Sequence, residues 1–254
     1  MAVVSVSADP PDIAVISLPR DLWISSLKAK INTMYYYGEQ KQSGGGLILA
    51  KSTVSEVLGI PIHFAAVVDF SGFEKLIDEL GGVEIDVINS FEDKKYPIAG
   101  KENDVCEACR YETIVFLAGL QTMNGQTALK YSRSRYSESS EGSDFARSFR
   151  QEQVMKAIRE KVIKSPLKIV ALQKTVREIT ITDVPANSMP AIVRLGLDVY
   201  KIPIRSISVS SPEFVYNPPI GALYDSQWVL LPIGNDWSRI TSHVKDFLAS
   251  GVQK

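Results

Sequence analysis

The stretch Ala65-Ala-Val-Val-Asp-Phe-Ser-Gly-Phe-Glu-Lys-Leu-Ile-Asp-Glu-Leu-Gly-Gly-Val-Glu-Ile-Asp-Val87 decides the fold class. Ala65 to Phe70 is a short, nearly continuous apolar run, the pattern of a buried strand. Ser71 follows in the place of a helix N-cap, and Phe73, Leu76, Ile77 and Leu80 recur at i, i+3, i+4 and i+7. Gly81-Gly82 stops that helix, after which Val83, Ile85 and Val87 alternate with Glu84 and Asp86 as a half-buried strand does. Strand, helix and strand in this order predict a βαβ-like unit. The expected class is α/β, with helices layered on a central mixed sheet.

Working outward, Val3 to Val6 and Asp12 to Leu18 read as two β-runs joined by a turn at Asp9-Pro10-Pro11. Pro19-Arg20-Asp21 ends the second run. Ser43 to Gly46 reads as a loop, and Leu47 to Leu58 as a helix closed by Gly59. Residues 89 to 113 are polar and read as an irregular loop carrying both cysteines. Asp144 to Lys164 is a long amphipathic helix without internal Gly or Pro, with Pro166 just past its end. Beyond it, short β-runs (179 to 181, 202 to 209, 228 to 231) alternate with helices near 187 to 199 and 236 to 249. Nothing near 165 has linker composition, so one domain is expected over 1–254, with a motif-bearing core to 165 and a C-terminal portion from 166.

The 254 residues are 45% hydrophobic and 22% charged, which suits a globular core and excludes a disordered tail or a collagen-like rod. With 28 Lys+Arg against 29 Asp+Glu, the net charge is −1. A general nucleic-acid binder carries a basic excess, because phosphate neutralisation supplies most of its affinity. No nucleic-acid partner is therefore expected, and any anion site must be local. No apolar run reaches the ~18 residues that span a bilayer, and Met1 to Pro10 has no basic n-region or long h-region.

Charge concentrates in two places. In Leu129-Lys-Tyr-Ser-Arg-Ser-Arg135, a strand would put Tyr131, Arg133 and Arg135 on one face, with the guanidinium groups roughly 7 Å apart. That spacing suits the oxygens of a diphosphate, each arginine offering a two-pronged fork. At the opening of the long helix, Arg147, Gln151, Val154 and Ile158 share a stripe, so Arg147 and Gln151 are expected on its core-facing side. Free N–H groups and the helix dipole favour anions at that end. The alternative reading of each arginine is a solvated surface ion pair.

Other features carry less. Gly45-Gly-Leu-Ile-Leu-Ala-Lys-Ser52 departs from a phosphate-binding P-loop at Ala50, where the loop needs glycine. Cys106-Glu-Ala-Cys109 has the spacing of a loop-pinning disulfide, a pair of free thiols or half a metal site, and only His63 and His243 could complete the last. Scarce histidine argues against a Ser-His or Cys-His nucleophile. Tyr35-Tyr36-Tyr37 reads as core and rim packing or as a groove lining.

Six motifs together resemble the LytR-CpsA-Psr family. They are Ser17-Leu-Pro-Arg-Asp21, Lys30-Ile-Asn32, Val68-Asp-Phe-Ser-Gly-Phe73, Leu80-Gly-Gly-Val83, Ala128-Leu-Lys-Tyr-Ser-Arg-Ser-Arg135 and Asp144-Phe-Ala-Arg-Ser-Phe-Arg-Gln151, in the family's order across residues 17 to 151. The resemblance implies a bacterial cell-envelope phosphotransferase that takes a glycopolymer, such as teichoic acid, from a polyprenyl-pyrophosphate carrier and attaches it to peptidoglycan. It implies a place on the extracellular face of the cytoplasmic membrane, behind a single N-terminal helix that is expected to be absent from residues 1–254. By motif, Arg20, Arg133 and Arg135 form the catalytic set, and Arg20, Lys30, Arg133, Arg135, Arg147 and Gln151 contact the pyrophosphate. Arg150 stands behind them. Mg²⁺ is the implied cofactor, but the family's aspartate ligands sit on an N-terminal strand whose motifs precede Met1. That strand is expected to be missing here, and the metal ligands are unknown. Two alternatives remain, a non-catalytic polyprenyl-pyrophosphate binding module and a transcriptional regulator; the net charge of −1 and the lack of a helix-turn-helix signal count against the second.

Overall fold

A computed structural model describes residues 1–164, 175–209 and 212–252. In chain order the strands are β1 (Ala2–Ala8), β2 (Pro11–Ser17), β3 (Trp23–Ile24), β4 (Ala29–Lys30), β5 (Ala66–Val68), β6 (Val83–Val87), β7 (Phe91–Pro97), β8 (Tyr111–Phe116), β9 (Gly119–Met123), β10 (Thr180–Thr182), β11 (Ile204–Ser208), β12 (Val215–Tyr216) and β13 (Leu231–Pro232). The helices are α1 (Met34–Lys41), α2 (Gly45–Leu58), α3 (Phe70–Glu79), α4 (Gly125–Arg133), α5 (Asp144–Lys164), α6 (Met189–Val199) and α7 (Ser238–Val252). The chain thus mixes helices and strands as the α/β reading expects, but in several small sheets. Packing gathers it into two compact units: residues 1–66 with 182–254, and residues 67–181. The expectation that Pro166 closes the long helix falls outside the described residues.

The first unit holds a mixed three-stranded sheet. β1 and β2 pair antiparallel with Val3 opposite Ile16, and β11 joins β2 in parallel with Ile207 opposite Ile16. Ile16, Leu22, Met34, Leu58 and Ile240 are fully buried in its core, contributed by strands, α1, α2 and α7. Each buried side chain of that size stabilises the fold by about 1.5–3 kcal/mol. Arg205 of β11 donates to both carboxylate oxygens of Asp12 (2.8 and 2.5 Å) and to the Phe247 carbonyl of α7 (2.8 Å), so one guanidinium links sheet and helix. The P-loop-like stretch is α2 itself. That helix starts at Gly45, two residues earlier than expected, directly after Gly44 at φ 79°.

The second unit corrects two details of the deciding stretch. The N-cap of α3 is Asp69, not Ser71: its Oδ1 accepts from the Gly72 amide at 2.6 Å and from the Ser71 hydroxyl at 2.9 Å. A carboxylate two residues before Ser71 outcompetes the hydroxyl because it accepts from the orphan amides and complements the helix dipole as well. At the far end, the Gly81 amide donates to Asp78 and the Gly82 amide to Ile77, a paired closure for which Gly81 sits at φ 78°. β6 then pairs antiparallel with β9, Val83 opposite Met123, so the predicted strand–helix–strand order does not make a parallel pair.

Within the expected loop, residues 91–97 are strand β7 and residues 111–113 open strand β8. β7 and β8 pair antiparallel with Phe91 opposite Phe116, and Phe91, Asp93 and Tyr96 point inward. The charged run Glu92-Asp-Lys-Lys95 hid this strand, because only alternate residues face the core and one of those is an aspartate. The connection between them carries a Cys106–Cys109 disulfide (Cα–Cα 5.2 Å), which selects one of the three readings left open for those cysteines.

Candidate functional site

The arginine-bearing stretch 129–135 is helix, then turn, and not a strand. Asn124 caps α4 by accepting from the Thr127 amide at 2.9 Å, and Gly125, Ala128, Leu129, Tyr131 and Ser132 are buried at helical spacing. Capping and a 3.6-residue apolar period outweigh the short alternation at 131–135. Tyr131 and Arg133 therefore lie on different faces of α4. Arg133, its last residue, lays its guanidinium 3.9 Å above the centre of the Phe70 ring, with the Tyr96 ring at 5.8 Å. Burial raises the Tyr96 phenol, and the positive charge of Arg133 works the other way.

Beyond the helix a buried carboxylate sets the backbone. Asp93 is 0% exposed, and its Oδ2 accepts from the Ser134 hydroxyl (2.7 Å), the Arg135 amide (2.9 Å) and the Tyr136 amide (3.1 Å). Its Oδ1 accepts from the Lys95 amide at 2.9 Å. Burial pushes its pKa up, but these four donors outweigh burial and the net shift is downward. A carboxylate with a depressed folded pKa contributes stability that is full above the unfolded value of about 3.9 and is lost as pH falls through the folded value. Asp93→Asn is expected to lower stability at pH 7 and to flatten the acid limb. Urea melts of both proteins between pH 6 and pH 2 check this, and parallel curves would contradict it.

The third element is Arg150 of α5, 1% exposed. Its Nε donates to the Tyr131 carbonyl (3.0 Å) and its other nitrogens to the Ser134 carbonyl (2.7 Å), the Glu141 carbonyl (2.9 Å) and the Glu141 carboxylate (2.8 Å). The Phe91 ring lies 4.7 Å beneath it. Desolvation lowers the Arg150 pKa while Glu141 holds it up, and the guanidinium stays charged.

The buried stripe of α5 is thus Arg150, Val154 and Ala157, not Arg147 and Gln151. At 100° per residue, Gln151 lies about 60° round the helix from Val154, and Arg150 about 40° the other way. Gln151 is exposed and Arg147 half-buried. Gln151 still reaches back to α4, its Nε2 3.3 Å from the Ser132 carbonyl. The opening of α5 is therefore tied to residues 131–134 by Arg150 and Gln151 together, with Arg133 and Arg135 on either side of Ser134. Arg135 is exposed on a backbone that Asp93 fixes.

Arg20 and Lys30 belong to the first unit, where both close on Asp21. Lys30 Nζ lies 2.9 Å from Asp21 Oδ1, and Arg20 Nε lies 3.6 Å from Oδ2. Among the described residues no three carboxylate, histidine or cysteine side chains gather in one place, and no step is drawn through Mg²⁺, which proteins commonly hold with one or two carboxylates plus substrate phosphates. No helix among them is long and apolar enough to cross a membrane. Sequence reasoning ranked Arg150 behind its neighbours and passed over Asp93 altogether. The signal for Arg150 was its i, i+4, i+7 spacing with Val154 and Ala157; for Asp93 it was alternation with Phe91.

The model of the LytR_cpsA_psr family matches residues 1–225. The chain is 33% identical over 165 residues to the polyisoprenyl-teichoic acid–peptidoglycan teichoic acid transferase TagV of Bacillus subtilis, covering 62% of this chain and 37% of that protein. It is 32% identical over 166 residues to the regulatory protein MsrR of Staphylococcus aureus, covering 64% and 42%. The chain spans less than half the length of the first of the curated relatives that it matches. Among solved structures, one described as a transcriptional regulator from Enterococcus faecalis superposes with a TM-score of 0.69 at 25% identity, over 98% of this chain and 82% of that one. With the six motifs in register, the pinned arginine segment and a family match over most of its length, the chain belongs to the LytR-CpsA-Psr family.

Proposed function

We propose that this chain carries the pyrophosphate-binding part of a transferase that moves a glycopolymer from a polyprenyl-pyrophosphate carrier to peptidoglycan. The observation that carries the reading is the pinned segment 131–136: Arg133 and Arg135 flank a backbone held by Asp93 and Arg150, with Gln151 and Arg147 on the opening turns of the adjoining helix. Phosphoryl transfer asks a protein mainly to position the substrate and to neutralise charge on the transferring group. Preorganised arginines meet both demands, since no reorganisation is needed as charge develops. Arg133 and Arg135 take the pyrophosphate oxygens, while Arg147, Gln151 and the positive end of the α5 dipole complete the neutralisation. Arg20 and Lys30 are not used in this reading.

In the reaction, a hydroxyl of the peptidoglycan acceptor attacks the phosphorus that bears the sugar. A new P–O bond forms, the P–O bond to the bridging oxygen breaks, and polyprenyl phosphate leaves; the hydroxyl proton passes to water. The names of the relatives support this chemistry, TagV being called a teichoic acid transferase. A second reading is binding without turnover, for which the pinned arginine segment alone suffices. One experiment separates them: the chain is incubated with a fluorescent polyprenyl-pyrophosphate-linked disaccharide and peptidoglycan fragments, with and without Mg²⁺. Release of polyprenyl phosphate with labelled peptidoglycan supports the transferase, binding alone supports the module, and neither outcome overturns both.

A further inference from the structure

Phe70 is the first residue of α3, and the residue is 56% exposed although it plays no part in capping, which Asp69 performs. One ring face is covered by the Arg133 guanidinium at 3.9 Å. The neighbouring residue Asp69 is exposed, and its carboxylate is held in place by the Gly72 amide and the Ser71 hydroxyl. Those same hydrogen bonds, the Gly72 amide first, keep its pKa low, so it is an acceptor at any physiological pH. Phe70 thus carries a guanidinium on its ring and directly follows an exposed carboxylate, all three residues belonging to one unit.

That trio matches one ligand chemistry. A pyranose ring has an apolar C–H face that packs on an aromatic ring and an equatorial rim of hydroxyls that donate to a carboxylate. A sugar alone would not need the arginine, and a bare phosphate would not need the ring. A sugar joined to a phosphate needs all three, and in a glycosyl pyrophosphate the ring begins one oxygen away from phosphorus. We propose that Phe70 and Asp69 form a subsite for the sugar directly attached to the pyrophosphate that Arg133 holds. The assignment rests on the reading of Arg133 as a pyrophosphate ligand and adds to it the residues that select the donor's first sugar.

The test compares two pyrophosphate diesters of equal charge and the same isoprenyl chain, farnesyl pyrophosphoryl N-acetylglucosamine and farnesyl methyl pyrophosphate, by titration calorimetry. The wild-type chain is expected to bind the sugar-bearing diester about fivefold more tightly, the worth of one aromatic stacking contact. Phe70→Leu keeps an apolar cover over Arg133 and should abolish that preference while leaving the methyl ester affinity nearly unchanged, and Phe70→Trp should preserve the preference. If the wild type binds both diesters equally, the sugar subsite is wrong while the pyrophosphate site stands. If Phe70→Leu weakens both alike, Phe70 serves only to orient Arg133, and the subsite is again overturned. If neither diester binds the wild type, the pyrophosphate reading itself fails and takes the subsite with it.

Discussion

Arg150→Met is expected to destabilise the chain by about 3–5 kcal/mol, the cost of breaking a buried ion pair by removing one partner. Methionine fills much of the volume but donates no hydrogen bond. The Tyr131, Ser134 and Glu141 carbonyls would lose donors, and the Glu141 carboxylate, at 16% exposure, would lose its counter-ion. Arg150→Lys should recover part of the loss, because an ammonium restores the charge but cannot reach three separated carbonyls in the plane of a guanidinium fork. Denaturant midpoints of the three proteins measure this. A loss below about 1 kcal/mol for the methionine variant would mean that residues 131–141 hold their conformation without the guanidinium.

The second large effect concerns chemistry rather than stability. Arg133→Ala and Arg135→Ala are each expected to lower the transfer rate about 100-fold, the scale seen when one preorganised charge-stabilising donor is removed. Arg135 is exposed, and the hydrogen bond that fixes it comes from its backbone amide, which alanine retains. At an exposed position its substitution should shift stability by about 0.5 kcal/mol or less. Arg133→Ala also removes the cover of Phe70, so a stability loss of about 1 kcal/mol is expected beside the rate effect. The double variant should cost less than the sum of the two, because both arginines act on one charged group. Single-turnover rates with the labelled donor decide the matter. Wild-type rates in Arg135→Ala would remove that residue from the site.

How far the sequence carried the account depended on which kind of signal each element gave. Helix α5 and the α3–β6 stretch were legible because their apolar periods run over many residues and end at clear stops such as Gly81-Gly82. Helix α4 was misread because its arginines happen to alternate over five residues. The local information that decides it lies further back, in the Asn124 cap and at Ala128 and Leu129. Strand β7 was missed because one of its inward positions is a buried aspartate. Its partners, Ser134 and the amides of Arg135 and Tyr136, lie about forty residues away in sequence, and no local window contains that pairing. The same holds for Arg150. A buried charge is intelligible only with its partners, and those come from the end of another helix and a turn. The residue types of the arginine segment were therefore readable, while the carboxylate and guanidinium that hold it in place were not.

The central claim is that arginines held on a pinned turn take a pyrophosphate. Titration calorimetry of the chain with farnesyl pyrophosphate, repeated with farnesol, tests it most directly. The account predicts saturable one-to-one binding of the pyrophosphate, abolished in the Arg133→Ala, Arg135→Ala double variant, weakened by added salt, and no heat with farnesol. Equal binding of farnesyl pyrophosphate by the wild type and the double variant, or equal binding of farnesol and the pyrophosphate, would contradict it.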